Sequence, residues 1–114
     1  MGMKNPSDCH SMPELRAAID VLDSEIVKLL ALRAGYIDRA AEIKTVNGLP
    51  ANIPSRVEDV VNKVKAAAVR EGLDAELAEQ LWRQMISWSI AREERLLEAA
   101  GTRSTVAEQL TMMG

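Results

Sequence analysis

The sequence predicts an all-α protein of three helices in the order long, short, long. Within residues 15–46, apolar residues recur at alternating steps of four and three, the spacing of a helix packed against other helices. Residues with high helix propensity, such as Ala, Leu, Glu, Arg and Lys, are abundant. Glycine and proline concentrate in residues 47–54 and at Gly72, where they separate the three periodic stretches.

Length and composition limit the kind of protein further. A chain of 114 residues is the size of one domain, and its core must be aliphatic because it has no Phe, two Trp and one Tyr. The net charge of −3 argues against a general nucleic-acid binder. One cysteine allows no internal disulfide, and the first residues lack the apolar centre of a signal peptide. We therefore expect a cytoplasmic protein with a flexible arm at 1–11, a helical domain at 12–101 and a flexible tail at 102–114.

The first helix begins at a capping box, Ser11-Met12-Pro13-Glu14, and can continue to about Val46. At about 1.5 Å per residue it is around 50 Å long, which favours packing between helices and a dimer. Its apolar seam consists of Leu15, Ile19, Leu22, Ile26, Leu29, Tyr36, Ala40 and Ile43.

Capping residues and glycines predict where the other two helices begin and end. Ser55 and Glu58 form a second S-x-x-E pattern that predicts the start of the second helix, and Gly72 predicts its end. Asp74 is the expected cap of the third helix, which we expect Gly101 to close. The seam of the third helix reads Leu77, Leu81, Met85, Ser89, Glu93 and Leu97, so two of its positions are polar.

A polar interruption also occurs in the first seam. Arg33 occupies a position that calls for an apolar residue, and Lys44, eleven residues later, returns to within about 20° of the same face. A buried cation without a partner is too costly to keep, so an anion is expected beside this stripe. The two cations lie about 16 Å apart along the helix, close enough to hold a small dianion between them.

Arg16 and Arg56 are the other candidate cations. Arg16 lies about 25 Å from Arg33 on the same helix and points some 100° away, so it cannot reach the ligand from its own chain. If two long helices pair antiparallel, Arg16 of one lies near the middle of the other, which favours a pocket shared between two chains. Arg56, just inside the second helix, can close the site from the loop side. Each residue also has a structural interpretation: Lys44 could favour the helix dipole, and the arginines could be solvated or paired with a carboxylate of the protein.

Other chemistries are disfavoured by the same sequence. His10 is the only histidine and Cys9 the only cysteine, so neither a Ser-His-Asp system nor a zinc site is expected. No glycine-rich phosphate loop is present.

Several motifs resemble those of the all-helical chorismate mutases and the related isochorismate-pyruvate lyases. Residues 15–23, LRAAIDVLD, resemble the family opening L-R-x-x-I-D-x-I/L-D, and residues 29–33, LLALR, are similar to L-L-x-x-R. Ile43-Lys44 matches the context of the catalytic lysine, and Arg56 keeps the twelve-residue interval after it. The resemblance covers about residues 12–97.

The resemblance implies an intertwined homodimer that converts chorismate to prephenate, a step of aromatic amino acid biosynthesis, without cofactor or metal. It implies that Arg16 of the partner and Arg33 hold the two carboxylates of the substrate. Lys44 would donate to the breaking ether oxygen, Arg56 would position the substrate, and Ser89 matches the mutase pattern. A pericyclic reaction of this kind needs a compact conformer and stabilisation of charge at the separating oxygen.

Some positions depart from the mutase pattern. Glu93 stands where many members have Gln, the second donor to the ether oxygen, so it would have to be protonated to donate. Val57 and Ile53 replace acidic residues common in mutases, and the arm with Pro6 and Asp8-Cys9 is more typical of the lyases. We expect a chorismate mutase, with an isochorismate-pyruvate lyase giving salicylate and pyruvate as the alternative. A non-catalytic, metabolite-sensing helical dimer and a purely structural bundle are the other interpretations.

Overall fold

The fold is all-α, as predicted. A computed structural model describes the backbone of residues 3–113 and the side chains of residues 3–101. A short 3₁₀ turn at Pro6–Asp8 precedes three helices: α1, Met12–Asn47, α2, Pro54–Glu71, and α3, Ala75–Met113. No strand occurs within residues 3–113. Among the described helices, none combines the length and the apolar character that spanning a bilayer requires.

The start of α1 uses the predicted cap. The backbone N–H of Glu14 donates to Ser11 Oγ at 3.3 Å. The Glu14 carboxylate does not complete the box in the usual way: it accepts from the His10 backbone N–H at 3.3 Å and pairs with Lys4. This ties the arm to the first turn of α1. The prediction that residues 1–11 are flexible stays a prediction.

The boundary between α2 and α3 also follows local signals. Gly72 has φ of 75°, the left-handed conformation that glycine adopts without strain, and its N–H bonds to the carbonyls of Ala68 and Val69. Asp74 Oδ1 then accepts from the Glu76 backbone N–H at 3.0 Å, which confirms it as a cap of α3. One predicted cap is wrong. The helix α2 begins at Pro54, so Ser55 lies inside the first turn, because proline is well suited to that position.

The predicted end of α3 at Gly101 is also wrong, since the helix continues to Met113. A glycine inside a helix costs only about 1 kcal/mol relative to alanine, which favourable neighbours can offset. The side chains of residues 102–114 lie outside the described part of the chain, and the prediction of a flexible tail stays untested.

The chain divides into two compact units, residues 1–36 and residues 37–114. In the second unit α2 packs against α3, and the buried side chains include Ala51, Val61, Ala68, Ala78 and Ile86. In the first unit the predicted seam of α1 is largely exposed: Ile19 is 46%, Ile26 45% and Leu29 65% accessible. Leu77 and Leu81, predicted to lie in the seam of α3, are exposed as well, because the buried stripe runs through Ala78, Ile86, Ser89 and Glu93.

Candidate active site

A buried ion pair forms the centre of the candidate site. Lys44, in the last turn of α1, places Nζ 2.8 Å from Oε1 of Glu93 on α3, and the two side chains are 18% and 6% exposed. Lys44 Nζ also donates to the backbone carbonyl of Ala51 at 2.8 Å. The lysine is therefore held from two directions, by a helix and by the α1–α2 connection.

The Glu93 carboxylate is held by the Lys44 ammonium. Its buried Oε1 atom lies 2.8 Å from Lys44 Nζ and, apart from this ion pair, receives no hydrogen bond from the described residues. Buried polar atoms usually have a partner, and for this oxygen the ion pair with Lys44 offsets the cost of burial.

Ser89 lies one turn before Glu93 on the same face of α3. It is 3% exposed, and its Oγ donates to the carbonyl of Met85 at 2.8 Å. This bond within α3 lets a serine occupy a position that the helix buries, because part of its hydrogen-bonding capacity is met locally. Both polar positions of the predicted α3 seam, Ser89 and Glu93, are thus buried.

Arg56 lies in the first turn of α2 and is exposed. It donates to Asp59 at 2.6 Å, and Lys63 donates to the same carboxylate oxygen at 3.0 Å. Hydrogen bonds from Lys63 and Arg56 lower the pKa of Asp59. Beside Arg56, Val57 contributes to a cavity of about 350 Å³, whose other lining residues are Asn52, Pro54, Glu58, Arg83, Ile86, Ser87 and Ile90.

Arg16 and Arg33 belong to the other unit, residues 1–36. The side chain of Arg16 is exposed and that of Arg33 is half-buried. The substrate-binding roles expected of these two arginines stay predictions.

Sequence analysis missed two features near the lysine. The carbonyl of Ala51 was not anticipated as a partner of Lys44, since no side chain marks it. Arg92 is not among the predicted site residues, but it makes a bidentate pair with Asp38: Nε donates to Oδ1 at 2.9 Å and Nη2 to Oδ2 at 3.1 Å. These hydrogen bonds lower the pKa of Asp38. The position of Arg92 beside Glu93 is the one sequence signal that could have suggested a role.

A second charge cluster joins α2 to α3. Arg83 donates to both oxygens of Glu58, at 3.2 and 3.1 Å, and to Glu79 at 2.7 Å. Lys65 lies 3.1 Å from Glu79. The hydrogen bonds from Arg83 lower the pKa of both glutamates.

Comparison with known proteins places the chain in a family. The family model described as chorismate mutase type II matches residues 15–94. The chain is 37% identical to the isochorismate pyruvate lyase of Pseudomonas aeruginosa over 92 residues. The aligned residues cover 80% of this chain and 89% of that protein. It is 28% identical over 87 residues to the chorismate mutase of Methanocaldococcus jannaschii, covering 76% and 88% of the two chains.

A third relative is larger. The chain is 29% identical over 85 residues to the T-protein of Haemophilus influenzae, which covers 75% of this chain and 22% of that protein. The family match includes α1 from Leu15 onward, all of α2 and the part of α3 that carries Ser89 and Glu93. The chain, with its three helices and its buried lysine–glutamate pair, belongs to the chorismate mutase type II family.

Proposed function

We propose that the protein is a chorismate mutase, which rearranges chorismate to prephenate without a cofactor, in a cationic pocket shared between two chains. The observation that carries this proposal is the buried Lys44 ammonium, held 2.8 Å from Glu93 and 2.8 Å from the carbonyl of Ala51. Membership of the family and the name of the Methanocaldococcus relative support it. A biosynthetic role of this kind favours a cytoplasmic location.

Lys44 has the chemistry that the reaction needs. An ammonium has three N–H donors, and the carbonyl of Ala51 and the Glu93 carboxylate engage two directions. A remaining N–H can donate to the ether oxygen of chorismate while the C–O bond breaks and negative charge develops there. Such a donor acts most strongly where little water reaches it, and the Lys44 side chain is only 18% exposed.

Glu93 is the second residue proposed to contact the ether oxygen. As a carboxylate it only accepts hydrogen bonds, so it becomes a donor only when it carries a proton. It also approaches the Lys44 ammonium that must serve the substrate. Both effects make the protonation of Glu93 a control on the reaction.

A homodimer accounts for the exposed seam of α1. The apolar side chains of the first unit that are more than 40% accessible include Ile19, Leu22, Ile26, Leu29 and Leu30. An apolar stripe of this length is typical of an interaction surface. In the proposed dimer the long helices of two chains cover each other, the partner supplies Arg16 to the pocket, and Arg33, Lys44 and Arg56 come from one chain.

An isochorismate-pyruvate lyase is the second candidate, favoured by the 37% identity to the Pseudomonas protein that carries that name. In that reaction isochorismate gives salicylate and pyruvate. Val57, which resemblance places where mutases often have a glutamate, lines the cavity beside Arg56. Valine at this position offers no hydrogen-bond partner to the ring hydroxyl of chorismate.

Incubation of the purified protein with chorismate and, separately, with isochorismate tests both candidates. Formation of prephenate from chorismate supports the mutase. Formation of salicylate and pyruvate from isochorismate, with no prephenate from chorismate, supports the lyase. Binding of either compound that raises the melting temperature without turnover would instead make the protein a metabolite sensor. A Lys44→Ala variant is the matched control and should lose turnover with either substrate.

Mixing two inactive variants tests the shared pocket. Arg16→Ala and Arg33→Ala should each be inactive, and heterodimers formed between them should regain activity because one of their two pockets keeps all its residues. Subunit exchange is followed by mass spectrometry of differently labelled chains. If exchange occurs and no activity returns, the partner does not supply Arg16.

A further inference from the structure

Two ion pairs join α1 to α3 within the described residues 37–101. One is the Lys44–Glu93 pair of the proposed site, and the other is the Asp38–Arg92 pair, which lies outside it. The side chains of Arg92 and Asp38 are 39% and 43% exposed. Ion pairs this exposed contribute little to stability. Stabilisation of the fold therefore does not explain the Asp38–Arg92 pair.

The Asp38–Arg92 pair is well oriented although its side chains are partly exposed. Two parallel hydrogen bonds, at 2.9 and 3.1 Å, engage both oxygens of the carboxylate. A bidentate contact of this kind fixes the orientation of the two groups as well as their separation. The contact therefore restrains both the position of this part of α1 along α3 and its rotation about its own axis.

The pair is well placed to transmit that restraint to the site. Arg92 directly precedes Glu93, and Asp38 lies six residues, or about 9 Å of helix, before Lys44. Between them Ala41 is 1% exposed and offers only a methyl group to interlock with other side chains. Thr45 directs its hydroxyl back to the Ala41 carbonyl at 2.8 Å, within α1. Neither of these two side chains donates a hydrogen bond to α3, whereas Asp38 and Lys44 both contact it.

We propose that Asp38 and Arg92 are positioning residues, which keep the end of α1 in the register that brings Lys44 to Glu93. The proposal rests on the proposed function. A shift of α1 by one residue moves Lys44 by about 1.5 Å, and a misplacement of about 1 Å can lower a rate about 100-fold. The pair acts through Lys44 and touches no substrate.

Kinetics of Asp38→Ala and Arg92→Ala with the substrate that the protein converts test the proposal. Alanine has the highest helix propensity, so neither change weakens a helix. We expect kcat to fall about 10-fold or more, KM to change much less, and the melting temperature to stay nearly constant. The charge swap, Asp38→Arg with Arg92→Asp, should recover most of kcat. Arg39→Ala is the control, because Arg39 neighbours Asp38 but pairs with Glu42 of the same helix.

An unchanged kcat in both alanine variants would overturn the proposal. So would a loss of kcat that only parallels a fall in melting temperature, or a charge swap that restores the melting temperature and not kcat. A crystal structure of Asp38→Ala gives a readout without substrate: the Lys44–Glu93 contact should lengthen beyond 4 Å. If the wild type converts neither substrate but the contact lengthens, the proposed function fails while the positioning role stands. If the contact keeps its length, the positioning role fails.

Discussion

Replacing Glu93 with glutamine should free the reaction from its dependence on acid. Glutamine keeps the length of the side chain and brings an N–H donor without a proton having to bind. In the wild type a rise in pH removes the proton that Glu93 needs in order to donate, so kcat/KM should fall as pH rises. One well-placed donor at a developing oxyanion is worth about 10²–10³ in rate. We expect Glu93→Gln to be about 10- to 100-fold faster than the wild type at neutral pH.

The assay is the initial rate of prephenate formation from pH 5 to pH 8 at constant ionic strength, resolved into kcat and KM. The Gln variant should give a flat profile, whereas Glu93→Ala should be slow at every pH because it offers no donor at all. Glu94→Gln, an exposed carboxylate one residue further along α3, is the matched control and should keep the wild-type profile. A flat wild-type profile that the Gln substitution leaves unchanged would remove Glu93 from the mechanism.

Two further predictions concern stability. Lys44→Met removes the cation beside the Glu93 side chain, which is 6% exposed. The variant should lose about 3 kcal/mol of stability and about 12 °C in melting temperature. Adding Glu93→Leu should recover most of that loss, because it removes the unpaired buried carboxylate. Thermal denaturation at one protein concentration measures both, and a double variant no more stable than the single one would contradict the reasoning. Because Arg83 lowers the pKa of Glu58 and Glu79, the stability they contribute is present above the unfolded pKa of about 4.3 and is lost as pH falls through the lower folded values. Arg83→Gln should therefore show a shallower loss of melting temperature between pH 6 and pH 3, and equal slopes would show that the cluster makes no such contribution.

Capping residues in the sequence predicted several of the helix ends correctly. Ser11, Gly72 and Asp74 mark helix ends in the structure as they do in the sequence, because a cap involves only residues within one turn. The same reasoning failed at Ser55 and at Gly101. At Ser55 a neighbouring proline is better suited to the first turn, and at Gly101 glycine by itself is a weak signal for ending a helix.

Periodicity predicted more of the candidate site than of the core. A polar residue in an apolar seam drew attention to Ser89 and Glu93, and both are buried. The same seam placed Leu77 and Leu81 in the core, but they are exposed. A row spaced by four residues throughout turns about 40° around the helix at each step, so Leu77 lies about 120° away from Ser89. Such a row shows that a helix is amphipathic but does not fix which face meets a particular neighbour.

Residue types and their spacing were enough to predict an all-α chain of long, short and long helices and to identify the family motifs along it. The packing of the helices was needed to show which groups meet Lys44: the Glu93 carboxylate from α3 and the Ala51 carbonyl from the connection. It also decided that Arg92, one of several similar charges, reaches across to Asp38. Helix formation depends on neighbours three and four residues apart, whereas these contacts join residues 7 to 54 positions apart and depend on how the helices are packed.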